Sequence, residues 1–218
     1  MENSTTLWLI HWHLAGRPDK TTWCWVFNHF TNQVFDRETL LKGLLKLADE
    51  NNWGKPSPAT IKRDVECFVR TYSMKLETKK QNIEDSLESP LTELGLIKPV
   101  GRRDGFRLVR GKKPSLGQGI FCWATMQFWQ IQNSSQTTHS STLSFEALAH
   151  EPGSPGKVFQ LDESDLAERL AKLPDLTNGK LEWSEVAGLK QLIKKEEISD
   201  EELLSFIEMD YAGNEVIQ

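Results

Sequence analysis

Between residues 57 and 113 the chain carries a helix signal, a short apolar element and then two β-like runs around a glycine-bounded basic turn. Few folds accommodate that order. Ser57 as N-cap and Pro58 in the first helical position open a helix in which Ile61, Val65, Phe68, Val69 and Tyr72 recur at helical spacing. The opposite face carries Arg63, Glu66, Cys67 and Arg70, with Lys62 on its flank. The helix before it, capped by Asp36 and running over 37–50, sets Leu40, Leu41, Leu44, Leu45 and Leu47 toward a core and ends at Asn52-Trp53-Gly54-Lys55-Pro56. Two helices joined by a short Gly/Pro turn predict a helix-turn-helix. The β-like runs 96–100 and 106–109, on either side of the turn 101–105, add a wing.

Charge follows the same boundaries. Residues 1–54 carry 5 basic and 6 acidic groups, 55–113 carry 14 and 8, and 114–218 carry 7 and 17, against a net charge of −5 for the whole chain. Positive charge gathered on one module of an acidic protein points to a nucleic-acid-facing middle and an acidic, soluble or partner-facing end. Lysines and arginines that neutralise phosphates release counterions, wing arginines can enter a minor groove, and the second helix can lie in the major groove. Arg102, Arg103 and Arg107 are the wing candidates for DNA binding, and Lys62, Arg63 and Arg70 the helix candidates. The plainer alternative is a winged module that serves protein contacts alone.

On either side of this module the sequence predicts a mainly α protein with small β wings, an α+β fold of two domains. Two helix candidates rich in aromatics and apolar nearly all round, Leu7-Trp8-Leu9-Ile10-His11-Trp12-His13-Leu14 and Thr21-Thr22-Trp23-Cys24-Trp25-Val26-Phe27-Asn28-His29-Phe30, read as buried helices. With a further aromatic helix over 119–132, they complete a helical, winged-helix DNA-binding domain over 1–132. A Ser/Thr/Gln/Asn linker over 133–142 follows. Residues 143–218 form a second small winged-helix-like α+β module: helix 143–150, a Pro/Gly loop at 152–156, strand 158–161, helix 164–173, strand 181–183, the segment 186–193 and an acidic helix over 200–209. No internal repeat is visible at the residue level. Cys24, Cys67 and Cys122 are odd in number and widely spaced in apolar contexts, as expected of reduced, buried thiols. No leader and no bilayer-length apolar run occurs, so a soluble cytoplasmic protein without membrane association is expected.

Catalytic signals are sparse. His11 and His13, two apart on a helix, point to opposite faces and cannot share a metal, so His11 or His13 is read as a core histidine. No spacing supports a zinc site, a phosphate-binding loop or a nucleophile elbow, and no resident metal is expected. Nuclease chemistry needs carboxylates converging on a divalent metal with a base nearby, and Mg2+ or Mn2+ would be the cofactor if the chain nicks DNA. Asp162 and Glu163 beside Lys157 are the catalytic candidates, with Asp64 and Glu66 on the basic helix as others. Asp162 and Glu163 are explained equally well as first-turn acids complementing the dipole of the helix that follows.

Four blocks together carry a resemblance: Leu7-Trp8-Leu9-Ile10-His11-Trp12, Thr21-Thr22-Trp23-Cys24-Trp25-Val26-Phe27-Asn28, Ser154-Pro155-Gly156-Lys157-Val158-Phe159-Gln160-Leu161-Asp162-Glu163 and Ala187-Gly188-Leu189-Lys190-Gln191. In this order and spacing they resemble the domain-of-unknown-function family four thousand and seven, over most of the chain. The resemblance implies a place beside DNA sulfur-modification genes and related anti-phage clusters, with sulfur-transfer or ATPase partners; it extends to the strand-nicking component of the Ssp phosphorothioation system. It carries no catalytic residue across. The family pattern opens with a further module, including a His-Glu-Thr-Phe-Pro-like block and an additional helix-turn-helix. Met1 here stands a few residues ahead of the Leu-Trp-Leu block, so a fragment, a mis-called start, or a shortened or split member is expected, and activity dependent on that module is not implied. The functional expectation is a DNA-binding accessory component of a phosphorothioate-modification or phage-defence system; the alternatives are a metal-dependent nickase of that system and a winged-helix scaffold for partner proteins.

Overall fold

The computed structural model describes residues 3–19, 21–54, 56–73, 89–101, 104–134, 140–186 and 188–215. Asn3 accepts a hydrogen bond from Thr5 N–H (2.9 Å) and starts α1 (Ser4–Ala15), which buries Leu7, Trp8, His11 and Trp12. α2 (Thr21–Asn28) packs on α1, and Asn28 fastens the pair: its Nδ2 donates to the carbonyls of Ala15 (2.8 Å) and Cys24 (2.9 Å). His11 is buried and His13 is exposed, as helical spacing requires.

A three-residue strand, β1 (Val34–Asp36), ends in the residue that caps α3 (Arg37–Glu50), where Asp36 accepts the Thr39 N–H at 2.7 Å. α3 packs on α4 (Pro58–Tyr72), whose N-cap Ser57 accepts from Thr60 N–H (3.1 Å) and whose apolar stripe Ile61, Val65, Phe68, Val69 and Tyr72 is buried. A 3-10 turn (Pro90–Leu94), closed by Gly95 at φ 61°, leads into β2 (Ile97–Val100) and β3 (Gly105–Leu108). These pair antiparallel with Ile97 opposite Leu108, and β1 joins the far side of β3 with Val34 opposite Arg107, giving the order β1-β3-β2.

α5 (Gln118–Ser134) is followed by the same arrangement. A three-residue strand, β4 (Thr142–Ser144), again ends in a cap, Ser144, for α6 (Phe145–His150). After α7 (Pro155–Val158), α8 (Glu163–Ala171) and α9 (Leu173–Leu176), the strands β5 (Leu181–Val186) and β6 (Leu189–Lys194) form a hairpin. β4 adds to β6, and the order β4-β6-β5 reproduces that of the first sheet. The last helix, α10 (Asp200–Glu215), lies against α5, and its Asp210 accepts the N–H groups of Gly119 (3.1 Å) and Ile120 (2.7 Å) at the open end of α5.

The fold is thus mixed, mainly helical among the described residues, with two small antiparallel sheets. One hydrophobic core runs from Leu7 to Ile207 and includes residues from both sides of the polar stretch 133–142. Where 158–161 was expected to form a strand, the chain instead ends α7 and turns. Ser154 caps the short helix, Pro155 occupies its first position, and Gln160 adopts φ 53°. Val158, Phe159 and Leu161 are nonetheless buried. The expected helix start at residue 143 is also displaced, because Leu143 belongs to β4 opposite Leu192. Of the three cysteines only Cys122 is buried; Cys24 is intermediate and Cys67 exposed, and all are free thiols. No helix among the described residues is long and apolar enough to cross a membrane.

Candidate nucleic-acid interface

The apolar stripe of α4 fixes which side chains face out. With Ile61, Val65, Phe68 and Val69 against the core, Lys62, Arg63 and Arg70 stand exposed on the other side. They line a groove of about 990 Å³ formed by α3, α4 and the turn that joins β2 to β3, together with Arg37, Leu41 and Asp104.

A charged network organises the groove. Glu66, between the cations of α4, accepts from Arg37 Nε at 2.6 Å through one carboxylate oxygen and from Arg70 Nε at 3.0 Å through the other. Partial burial opposes ionisation of Glu66, but the hydrogen bonds and charges of Arg37 and then of Arg70 outweigh it and hold the carboxyl below its ordinary range. Arg37 also pairs with Asp104 beside the turn, and its guanidinium carbon stands 5.1 Å from the centroid of the Phe106 ring. Arg37 therefore ties the second helix to the hairpin. Lys62 and Arg63 make no ion pair among the described residues.

Arg107 lies on the outward face of β3, exposed, with Lys98 of β2 and Val34 of β1 as its register neighbours. Arg102 and Arg103 lie outside the described residues. The sequence-derived candidates therefore divide. Lys62, Arg63 and Arg70 share one groove, whereas Arg107 stands on the sheet and lines a different cleft. Arg37 was not among the candidates. It follows the Asp36 cap as an ordinary first helical residue, and only the packing of α3 on α4 brings it to Glu66.

Asp162, Glu163 and Lys157 do not converge on one point. Asp162 is the N-cap of α8, accepting the Asp165 N–H at 2.7 Å, and Glu163 stands 3.4 Å from His150. Lys157 lines the cleft that Arg107 also lines. Among the described residues no group of three His, Cys, Asp or Glu side chains is placed to hold a metal ion. Of the other carboxylates considered, Asp64 is exposed and Glu66 is committed to the arginines.

A family model described as "Protein of unknown function (DUF4007)" matches residues 1–211. Among solved structures, one described as "Magnesium ion-bound SspB crystal structure" superposes with a TM-score of 0.80 at 25% identity, covering 98% of this chain and 62% of that one. A second, "SspB crystal structure", gives a TM-score of 0.78 at 25% identity with the same coverage. The chain thus spans 62% of the length of these structures. No curated protein gives a significant match.

Proposed function

Because the chain belongs to the DUF4007 family, we propose that it is a DNA-binding accessory component of a DNA phosphorothioate-modification or phage-defence system. The observation that carries the DNA-binding part is the pair Lys62 and Arg63, exposed on the outer face of α4 and without ion-pair partners among the described residues, on the rim of a groove that Arg37 and Arg70 also line. The order α2-β1-α3-α4-β2-β3, with β1 beside β3, supports reading this part as a winged helix whose second helix is α4. Arg107, on β3, is the wing candidate among the described residues. The likeness to SspB supports the sulfur-modification setting, in which sulfur-transfer or ATPase proteins are the partners.

Residues 1–132 are proposed as the DNA-facing part and 143–218 as the partner-facing part, which is acidic and repeats the strand order of the first sheet. The direct test is an electrophoretic mobility shift with duplex and single-stranded DNA at low salt. A shift of either supports the reading. If neither shifts, and a sulfur-transfer partner still co-purifies after nuclease treatment, the winged modules act as a protein scaffold instead.

A second reading, a metal-dependent DNA nickase, is favoured by one observation, the magnesium ion bound in a matching SspB structure. Among the described residues no group of three His, Cys, Asp or Glu side chains is placed to hold a metal ion, and Asp162 and Glu163 are turned to a helix cap and a histidine. Supercoiled plasmid incubated with Mg2+ or Mn2+ separates the readings: open circles that disappear in Asp162→Asn or Glu163→Gln support the nickase, and intact plasmid with either metal contradicts it.

A further inference from the structure

The β1-β3-β2 sheet has a second cleft, at the end opposite the turn that joins β2 to β3. It encloses about 510 Å³ between the residues that precede β1, the end of β3 and the start of the following loop, and α7 with the turn after it. Its lining includes three cations, Arg107, Arg110 and Lys157, and no carboxylate among the described residues. None of the three forms an ion pair with a described residue. Arg110 is held in place, donating from Nε to the Leu161 carbonyl at 2.7 Å.

The wall that carries Lys157 is fixed in several ways. Gly156 lies so close to α6 that a Cβ there would stand 2.7 Å from the Ala149 carbonyl oxygen. Gln160 holds a left-handed φ of 53°, which a residue with a side chain rarely adopts. Its Nε2 donates to the carbonyls of Lys157 (2.7 Å) and Phe27 (3.2 Å), bracing the turn against α2. His29, beside the cleft, has its imidazole pKa lowered by partial burial and then by the charge of Lys157. Asp162, two residues beyond Gln160, is committed to the N-terminus of α8.

Three cations around one braced concavity repel one another, and no described carboxylate lines it to balance them. We infer that this cleft binds a phosphate group borne by a nucleotide or by a nucleic-acid strand. The volume exceeds what a bare phosphate fills and lies within the range of about 300–1,000 Å³ usual for small-molecule sites, so room remains for the attached nucleoside. Arg107 supplies planar donors to the phosphate oxygens and Lys157 a point charge, while Arg110, whose Nε and Nη2 are engaged by the Leu161 and Ala149 carbonyls, contributes its remaining N–H groups and its charge. The cleft is separate from the α3–α4 groove, and the inference does not depend on DNA binding there.

Calorimetric titration of the full chain at low ionic strength tests it, with inorganic phosphate, thymidine monophosphate and a short oligothymidylate as probes. Lys157→Ala and Arg107→Ala are each expected to weaken binding of the monophosphate about tenfold. Lys157→Arg should retain most of the affinity, and Lys195→Ala, at an exposed position that lines neither groove, all of it. Similar affinity for monophosphate and oligothymidylate identifies a free nucleotide as the source, and a preference for the oligomer that Lys157→Ala abolishes identifies a strand. The inference is overturned if wild type binds none of the probes, or if Lys157→Ala and Arg107→Ala bind them as wild type does. Failure of DNA to engage the α3–α4 groove would leave the monophosphate result unchanged.

Discussion

The Nδ1 of His11 lies 2.8 Å from the hydroxyl of Tyr72 in a site closed to solvent. On the other side of the ring, Nε2 lies 2.7 Å from the Val158 carbonyl, which can only accept, so Nε2 carries the proton and Nδ1 accepts from Tyr72. One neutral imidazole thus joins α1 to α4 and to α7, elements from both sides of the polar stretch 133–142.

Burial is the largest effect on His11; the bond to Val158 opposes it, the charge of Lys113 adds to it, and together they lower the imidazole pKa to about 4. The unfolded chain binds this proton near pH 6.5, so the stability it represents is present above that pH and is lost as pH falls toward 4. Between pH 7.5 and pH 5 the loss from this group is about 2 kcal/mol. Denaturant midpoints measured across that range check it; a flat profile contradicts the assignment of a neutral buried His11.

Arg169 and Asp165 form a second buried connection. Arg169 Nε donates to Asp165 at 3.2 Å, while its two terminal nitrogens donate to the carbonyls of Leu116 (2.9 Å) and Lys113 (2.7 Å), pinning the loop before α5 to α8. Arg169→Ala leaves the buried Asp165 carboxylate without its guanidinium, with the Lys113 N–H (3.1 Å) as a remaining donor, and is expected to cost about 3–5 kcal/mol. Adding Asp165→Ala should restore part of that loss. Chemical denaturation of the single and double variants measures both, and additive losses contradict the coupling.

At Gly119 the backbone of α5 passes close to that of α10. A Cβ there would stand 1.9 Å from the Phe206 carbonyl, so Gly119→Ala must push the helices apart and also disturb the bonds from Gly119 and Ile120 to Asp210. A loss of about 1–3 kcal/mol is expected. Gly153→Ala is a useful comparison, because its φ of 81° strains alanine while its Cβ would meet nothing within 4 Å. Thermal melts of the two variants separate a steric cost from a purely conformational one.

The elements legible in the sequence are those set by local rules. Ser57, Pro58 and the apolar stripe from Ile61 to Tyr72 gave α4, since capping and helical period need no knowledge of distant residues. The strands β1 and β4 were not legible, because three residues show no period and only their pairing with β3 and β6 defines them. Val158, Phe159 and Leu161 illustrate the complementary limit: a short, fully buried apolar run reads as a strand although here it ends a helical turn. In the groove, Arg63 and Arg70 could be placed on one face, with Lys62 on its flank, from spacing alone. Arg37, 29 positions before Glu66, could not, because that contact depends on how α3 packs on α4.

The proposed grip of α4 on DNA through Lys62 and Arg63 is tested most directly by the salt dependence of binding. If roughly four to six phosphates are neutralised, log affinity should fall with log salt at a slope of about −4 to −5 for wild type. Arg102→Ala with Arg103→Ala should weaken binding across sequences alike, since phosphate contacts position without specifying. The decisive comparison is the double variant Lys62→Ala/Arg63→Ala: the account predicts weaker binding and a slope shallower by about 2. An affinity and a salt slope unchanged from wild type would contradict it.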